Sequence, residues 1–128
     1  MNQEIAIGIK HTEITTVTPE KTAKALASGA LEVYATPAMI AFMEYTAMNC
    51  VKPFLPETHG TVGIEVCIRH LKASKVGSKI VCNALLSERK DNKLVFEVEA
   101  FDGDILVGKG THTRYIVDNA KFIENLNK

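Results

Sequence analysis

The fold is decided by residues 36–54, which read TPAMIAFMEYTAMNCVKPF. Thr36 before Pro37 is typical of an N-cap followed by a first-turn proline, and Pro53 and Pro56 bound the far end. The sequence therefore predicts a helix of about five turns. Its apolar residues leave no broad polar face, and a helix that is apolar nearly all round is normally buried. The rest of the chain is expected to wrap this helix.

The segments on either side of the helix have β-strand patterns. Residues 4–18 contain β-branched residues that roughly alternate, which predicts a first strand. A strand with a period of two begins at Gly60. Three further β-rich runs follow at residues 78–88, 93–101 and 105–117. The connections 89–92 and 102–104 have the composition of hairpin turns, so the last four strands are predicted to form one antiparallel meander.

Three shorter elements are also predicted. Thr18 and Pro19 have the composition of a helix start, which predicts a short helix over residues 19–27. Residues 31–34 are expected to form a short strand. The mostly polar tail after Asp118 carries three apolar residues that favour one short helix.

Together these elements describe an α+β fold, in which a curved antiparallel sheet wraps around a long central helix. This is the hot-dog architecture. A single sheet of this kind leaves an open edge, which a second copy of the chain commonly covers by strand pairing. We expect one domain over residues 1–128 that assembles as a homodimer or a dimer of dimers.

Composition disfavours several classes of protein. The 128 residues suit one compact domain, and Lys+Arg and Asp+Glu both number 15, so no excess positive charge favours nucleic acid. The longest apolar stretch, residues 37–43, is too short to span a bilayer. Residues 1–4 lack the basic start of a signal peptide, and three cysteines cannot all pair, which favours a cytoplasmic location.

Glu44 and His70 are the first candidates for chemistry. Glu44 lies in the middle of the apolar helix, where an ionised carboxylate without partners would cost several kcal/mol. It is either a structural carboxylate or a general base or nucleophile. Strict alternation from Val62 points His70 toward the helix, where it could approach Glu44. A lone histidine on an apolar face is often structural, but a nearby carboxylate favours an acid–base role.

Thr36 is adequately explained as an N-cap, yet it stands where helix N–H groups and the positive end of the helix dipole would favour a developing oxyanion. His112 lies in a glycine-bearing strand and is expected to be structural. The cysteines lack metal-ligand spacing and are predicted to be small buried residues, so no metal site is expected. They are Cys50, Cys67 and Cys82.

Five short motifs resemble those of one known family. They are ATPAM at 35–39, FME at 42–44, GTVG at 60–63, IRH at 68–70 and GKGTHTR at 108–114. On these motifs the chain resembles the fluoroacetyl-CoA thioesterase-like group of hot-dog thioesterases, from about the first strand to Phe122. The Thr, Glu and His have the family's spacing of eight and then twenty-six residues.

The resemblance implies an acyl-CoA thioesterase that hydrolyses a small acyl-CoA at a dimer interface. Thr36, Glu44 and His70 correspond to the catalytic set, and Gly63 corresponds to the glycine beside the acyl group. No cofactor is implied, since CoA is part of the substrate. Ala30 stands where the fluoroacetate-specific enzyme has a bulky aromatic residue that shields the acyl pocket, so strong fluorine selectivity is not expected.

In this interpretation Glu44 attacks the thioester carbonyl or activates water, Thr36 positions or polarises the acyl group, and His70 assists proton transfer. An acyl-glutamyl anhydride and direct water attack stay open, because both need the same carboxylate. Two other functions also stay open. One is a dimer that binds an acyl-CoA or small acyl ligand without turnover. The other is a hot-dog hydratase, although the Asp and His loop usual in that group is not evident.

Overall fold

A five-stranded antiparallel sheet and one long helix make up most of the chain. The computed structural model describes residues 5–128. In chain order the elements are β1 (Lys10–Thr16), α1 (Thr36–Val51), β2 (His59–His70), β3 (Lys79–Lys90), β4 (Lys93–Asp102), β5 (Ile105–Asp118) and α2 (Asn119–Leu126). The strand order is β1-β3-β4-β5-β2, and α1 contacts all five strands. The predicted hot-dog fold is confirmed. None of the described helices is long and apolar enough to cross a membrane.

The core lies between α1 and one face of the sheet. Alternate residues of β3 from Ile80 to Leu86, and of β4 from Leu94 to Ala100, are buried. This is the period of two expected when only one face of a strand packs inward. Burying each large apolar side chain contributes roughly 1.5–3 kcal/mol. The packing of this face therefore fixes the position of α1.

Helix α1 differs from its prediction in three respects. The α-helix ends at Val51, and Lys52–Phe54 forms a single 3₁₀ turn. Its N-cap is Ala35, because the Ala35 carbonyl accepts the first helical hydrogen bond, from the N–H of Met39, while the Thr36 hydroxyl bonds to His70. The helix is also not covered all round: Tyr45 is 49% exposed, since the sheet packs on one side only.

The predicted helix over residues 19–27 is wrong. Only Pro19–Lys21 forms a 3₁₀ turn, because the backbone N–H groups of Ala23 and Lys24 bond to the carbonyls of Val33 and Leu31. The predicted strand 31–34 is likewise reduced to two isolated bridges. In contrast, the C-terminal helix is confirmed as α2. The predicted first strand, residues 4–18, is too long, since β1 covers only Lys10–Thr16, and Glu4 lies outside the described residues.

The predicted four-stranded meander is also wrong. Only β3, β4 and β5 follow one another across the sheet, while β2 pairs with β5 and β1 pairs with β3. The turns between β3, β4 and β5 are short, as predicted. Residues 71–78 form a longer connection that bonds to Tyr34 and Val107, and this connection carries the chain across from β2 to β3. Strand β2 is consequently an edge strand.

A β-bulge decides which side chains of β2 face α1. The pairing with β5 shifts register directly after Gly63, whereas the sequence prediction assumes strict alternation from Val62. Gly63 therefore faces α1, opposite Arg114, and Val62 points to the other face. His70 contacts the start of α1, so its predicted face is correct.

Candidate active site

The start of α1 is paired with the end of β2. A 2.8 Å hydrogen bond joins Oγ1 of Thr36 and Nδ1 of His70. The His70 ring also makes a T-shaped contact with Tyr34, at 6.3 Å between ring centroids. Nε2 of His70 is buried and has no hydrogen-bond partner among residues 5–128. A cleft of about 280 Å³, lined also by Leu71 and Lys72, opens beside the pair. A hydroxyl and an imidazole at this distance can exchange a proton.

Glu44 lies about two turns further along α1, in a second polar cluster. Its Oε2 is 3.9 Å from Nε2 of His112. A Cβ built on Gly63 would lie 2.8 Å from this Oε2, 3.1 Å from Cε1 of His112 and 3.4 Å from Nη1 of Arg114. Three polar side chains thus converge on a position of β2 that carries no side chain. The glycine lets these side chains approach the backbone of β2 more closely than any other residue would.

Hydrogen bonds hold Arg114 and His112 in place. Arg114 donates from Nε to Oγ1 of Thr61 at 2.7 Å, from Nη2 to the Thr61 carbonyl at 2.8 Å, and from Nη1 to Nε2 of His112 at 3.1 Å. Nδ1 of His112 lies 2.8 Å from the backbone oxygen of Glu65. Arg114 is 6% exposed and His112 is 1% exposed. The cluster therefore contains a buried and fixed cation close to Glu44.

Burial also sets the protonation of the two imidazoles. It lowers the pKa of His70 below its ordinary value. It likewise lowers the pKa of His112, where the positive Arg114 acts in the same direction and the Glu65 carbonyl and Glu44 oppose it. A pKa below the ordinary value leaves both imidazoles mainly neutral at pH 7.

The four predicted site residues fall into two units on the same side of α1. Thr36 pairs with His70, and Glu44 adjoins Gly63. The prediction allowed His70 to approach Glu44, but the imidazole nearest Glu44 is His112. Thr36 and Glu44 are about 12 Å apart along the helix axis, as expected from the helical rise. The predicted burial of Glu44 is wrong, since its side chain is 40% exposed. Glu44 lies beside Gly63 of the edge strand β2, and no further strand of the sheet extends beyond it.

His112 and Arg114 are the members of the cluster that sequence reasoning missed. The sequence alone makes His112 structural and leaves Arg114 without a role. The signal that could have found them is alternation in β5, which places every second residue from Gly108 to Arg114 on the face toward α1. Counting that period brings both side chains to the face on which Glu44 lies.

The described residues contain no metal-binding cluster. Among residues 5–128, no group of three or more His, Cys, Asp or Glu side chains is placed to hold a metal ion. Cys50 and Cys82 are buried, as predicted. The predicted burial of Cys67 is wrong, because it lies on the edge strand β2 and is exposed.

Comparison with known proteins gives consistent matches. The sequence model of the fluoroacetyl-CoA-specific thioesterase family matches residues 17–120. The fluoroacetyl-CoA thioesterase of Streptantibioticus cattleyicolor is 29% identical, over 95% of this chain and 92% of that protein. The structure of a phenylalanine-to-alanine variant of a fluoroacetyl-CoA-specific thioesterase, in complex with fluoroacetate and CoA, matches with a TM-score of 0.87 and 30% identity, over 92% of this chain and 99% of that chain.

A thioesterase superfamily member from Thermus thermophilus is similar as well. Its structure matches with a TM-score of 0.89 and 29% identity, over 98% of this chain and 93% of that chain. The family match covers helix α1, strands β2 to β5, the Thr36–His70 pair and the polar cluster around Glu44. The chain therefore belongs to the fluoroacetyl-CoA-specific thioesterase family.

Proposed function

We propose that this chain hydrolyses the thioester bond of a small acyl-CoA to a carboxylic acid and CoA, with Glu44, Thr36 and His70 acting on that bond. The observation that carries the proposal is the pair of polar units on one side of α1. One is a partly exposed carboxylate beside Gly63, and the other is a hydroxyl bonded to a neutral imidazole. Membership of a thioesterase family supports the same activity.

Glu44 supplies the base or the nucleophile. Its side chain is 40% exposed, so water or a thioester carbonyl can reach it. As a base, Glu44 takes a proton from the water that attacks the carbonyl carbon. As a nucleophile, it forms an acyl-glutamyl anhydride that water then hydrolyses. Both routes break the same C–S bond and need the same carboxylate.

Thr36 and His70 act on the acyl group and the leaving thiolate. Thr36 positions or polarises the acyl carbonyl beside the first N–H groups of α1, which stabilise developing negative charge. His70 assists proton transfer. The 2.8 Å bond between them favours a second route, in which His70 takes the hydroxyl proton and Thr36 attacks the thioester. Mass spectrometry of protein quenched during turnover separates the routes by an acyl adduct on Thr36, on Glu44 or on neither.

A second copy of the chain is proposed to complete the site. The edge strand β2 carries Ile64 and Val66, which are 55% and 45% exposed. Unpaired apolar edge strands are normally covered. Both polar units adjoin β2, so pairing along this edge would bring the two sites of a homodimer close to the interface.

The proposed chemistry needs no cofactor, because a carboxylate, a hydroxyl and an imidazole supply every proton transfer in it. A cytoplasmic location is proposed as well. Its support is that all three cysteines are free thiols, as is usual in a reducing compartment. Cell fractionation with a tagged copy of the chain tests this location.

The activity is tested by thiol release from a panel of short, branched and aromatic acyl-CoAs with purified protein. Turnover of at least one of them is expected. Binding of an acyl-CoA without release of thiol from any member of the panel would favour a binding protein. Consumption of an enoyl-CoA with the thioester intact would favour a hydratase.

The same panel measures fluorine selectivity. Ala30 is small and exposed, so it supplies no apolar shield at the position predicted for one. We expect fluoroacetyl-CoA and acetyl-CoA to differ by less than about 100-fold in kcat/KM, a difference of under about 3 kcal/mol in transition-state stabilisation. A preference of several orders of magnitude would contradict this expectation.

A further inference from the structure

We propose that His112 is a positioning residue for thioester hydrolysis, whose Nε2 lone pair holds the Arg114 guanidinium beside the Glu44 carboxylate. This inference rests on the proposed function and adds to it a residue that touches no reacting atom. His112 is only 1% exposed. It therefore acts on the substrate through its neighbours.

The hydrogen bonds of His112 allow only one tautomer. Nδ1 lies 2.8 Å from the backbone oxygen of Glu65. A carbonyl oxygen only accepts hydrogen bonds, so Nδ1 carries the proton. Nε2 lies 3.1 Å from Nη1 of Arg114, and a guanidinium only donates, so Nε2 presents its lone pair. The imidazole thus connects the backbone of β2 to Arg114.

The bond to His112 holds the part of Arg114 that lies nearest the proposed site. Nε and Nη2 both bond to Thr61. Nη1 is the guanidinium atom that lies 3.4 Å from a Cβ built on Gly63, and Oε2 of Glu44 lies 2.8 Å from the same point. Releasing Nη1 would therefore change the electrostatic potential that Arg114 produces at the Glu44 carboxylate.

The β-bulge in β2 makes this connection possible. The register shift after Gly63 lets the backbone carbonyl of Glu65 meet His112, while the Glu65 carboxylate accepts a hydrogen bond from Thr113. Two charged groups contact His112 besides this strand: Glu44 from α1 and Arg114 from β5.

Two substitutions of His112 separate its two hydrogen bonds. His112→Asn retains a donor near the position of Nδ1 and loses the acceptor at Nε2. His112→Gln places an amide oxygen near the position of Nε2 and loses the donor to Glu65. His11→Asn removes an imidazole that bonds to Glu13 on β1, and it serves as the matched control. Steady-state kinetics and NMR exchange about the Nε–Cζ bond of Arg114 are measured for all three and for the wild type.

We expect His112→Asn to lower kcat by about 10- to 100-fold with a smaller change in KM, since misplacing a catalytic group by about 1 Å costs up to about 100-fold. Rotation about the Arg114 Nε–Cζ bond should become fast in this variant. His112→Gln should recover most of kcat and keep that rotation slow, and His11→Asn should match the wild type.

The proposal is overturned if His112→Asn keeps wild-type kcat and slow rotation, or if His112→Gln loses as much as His112→Asn. The second result would mean that the bond to Glu65, and thus the bulge itself, is what matters. If the wild type releases no thiol from any acyl-CoA, the proposed function fails. The NMR exchange of Arg114 still decides whether His112 positions it.

Discussion

The absence of a side chain at Gly63 is the residue-scale feature on which the site depends. A Cβ there would lie 2.8 Å from Oε2 of Glu44 and 3.1 Å from Cε1 of His112. The Glu44 carboxylate is the freer of the two groups and would be the one to move. We expect Gly63→Ala to fold and to lose about 10- to 100-fold in turnover, because the displaced carboxylate no longer has its catalytic geometry. Thermal unfolding and thiol release measure the two effects.

Gly110→Ala is the matched control for this prediction. A Cβ at Gly110 would overlap the backbone of Cys67 in the neighbouring strand, and backbone cannot move aside as a carboxylate can. This variant should lose stability first, whereas Gly63→Ala should lose activity first. Wild-type turnover in Gly63→Ala would show that the position of the Glu44 carboxylate does not matter.

At the scale of elements, β2 carries the prediction about assembly. Ile64 is 55% exposed on this edge strand. Lysine at an edge disfavours strand pairing. Ile64→Lys should therefore turn a dimer into a monomer and lower turnover, as measured by analytical ultracentrifugation and thiol release at the same protein concentration. Ile14→Lys, at a residue 56% exposed on the opposite edge strand β1, should stay dimeric. An active wild-type monomer at micromolar concentration would contradict the prediction.

The elements that sequence reasoning predicts well are those with local signals. The apolar period of β3 and β4 and the short turns around them are visible in the sequence, and so are the prolines that bound α1. The position of β2 is not, because residues 71–78 give no local sign of where the chain crosses. Thr18 and Pro19 resemble a helix start, but backbone pairing with residues 31–33 prevails over that propensity.

The candidate site was predicted only in part, because some of its contacts depend on strand pairing that gives no local signal in the sequence. The residue pattern made Glu44, His70 and Thr36 candidates, the family resemblance added Gly63, and the fold places each beside another. Which imidazole approaches Glu44 depends on the register of β5 and on the bulge in β2, which are non-local features. A single sequence does not contain the pairing that brings His112 to Glu44.

For the whole molecule, the imidazoles of His70 and His112 predict how stability depends on pH. Burial lowers the pKa of His70 and of His112 below the ordinary value of 6.5. Below that pH the unfolded chain binds protons that the folded protein does not, so the free energy of unfolding falls as the pH drops through 6.5 and levels off above it. Urea unfolding at pH 7.5 and pH 5.5 measures this, with His112→Gln expected to show a smaller fall. Equal stability at both pH values would contradict it.

The central claim is that Glu44 carries out the chemistry of thioester hydrolysis, and Glu44→Gln tests it most directly. The substitution keeps the size and hydrogen bonding of the side chain and removes the base and nucleophile. The measurement is thiol release from the best acyl-CoA of the panel, together with calorimetric binding of an unreactive acyl-CoA analogue. We predict unchanged binding and a loss of at least about 100-fold in kcat, as is typical for removing a general base. Near wild-type turnover with unchanged binding would contradict the claim and make Glu44 a structural carboxylate.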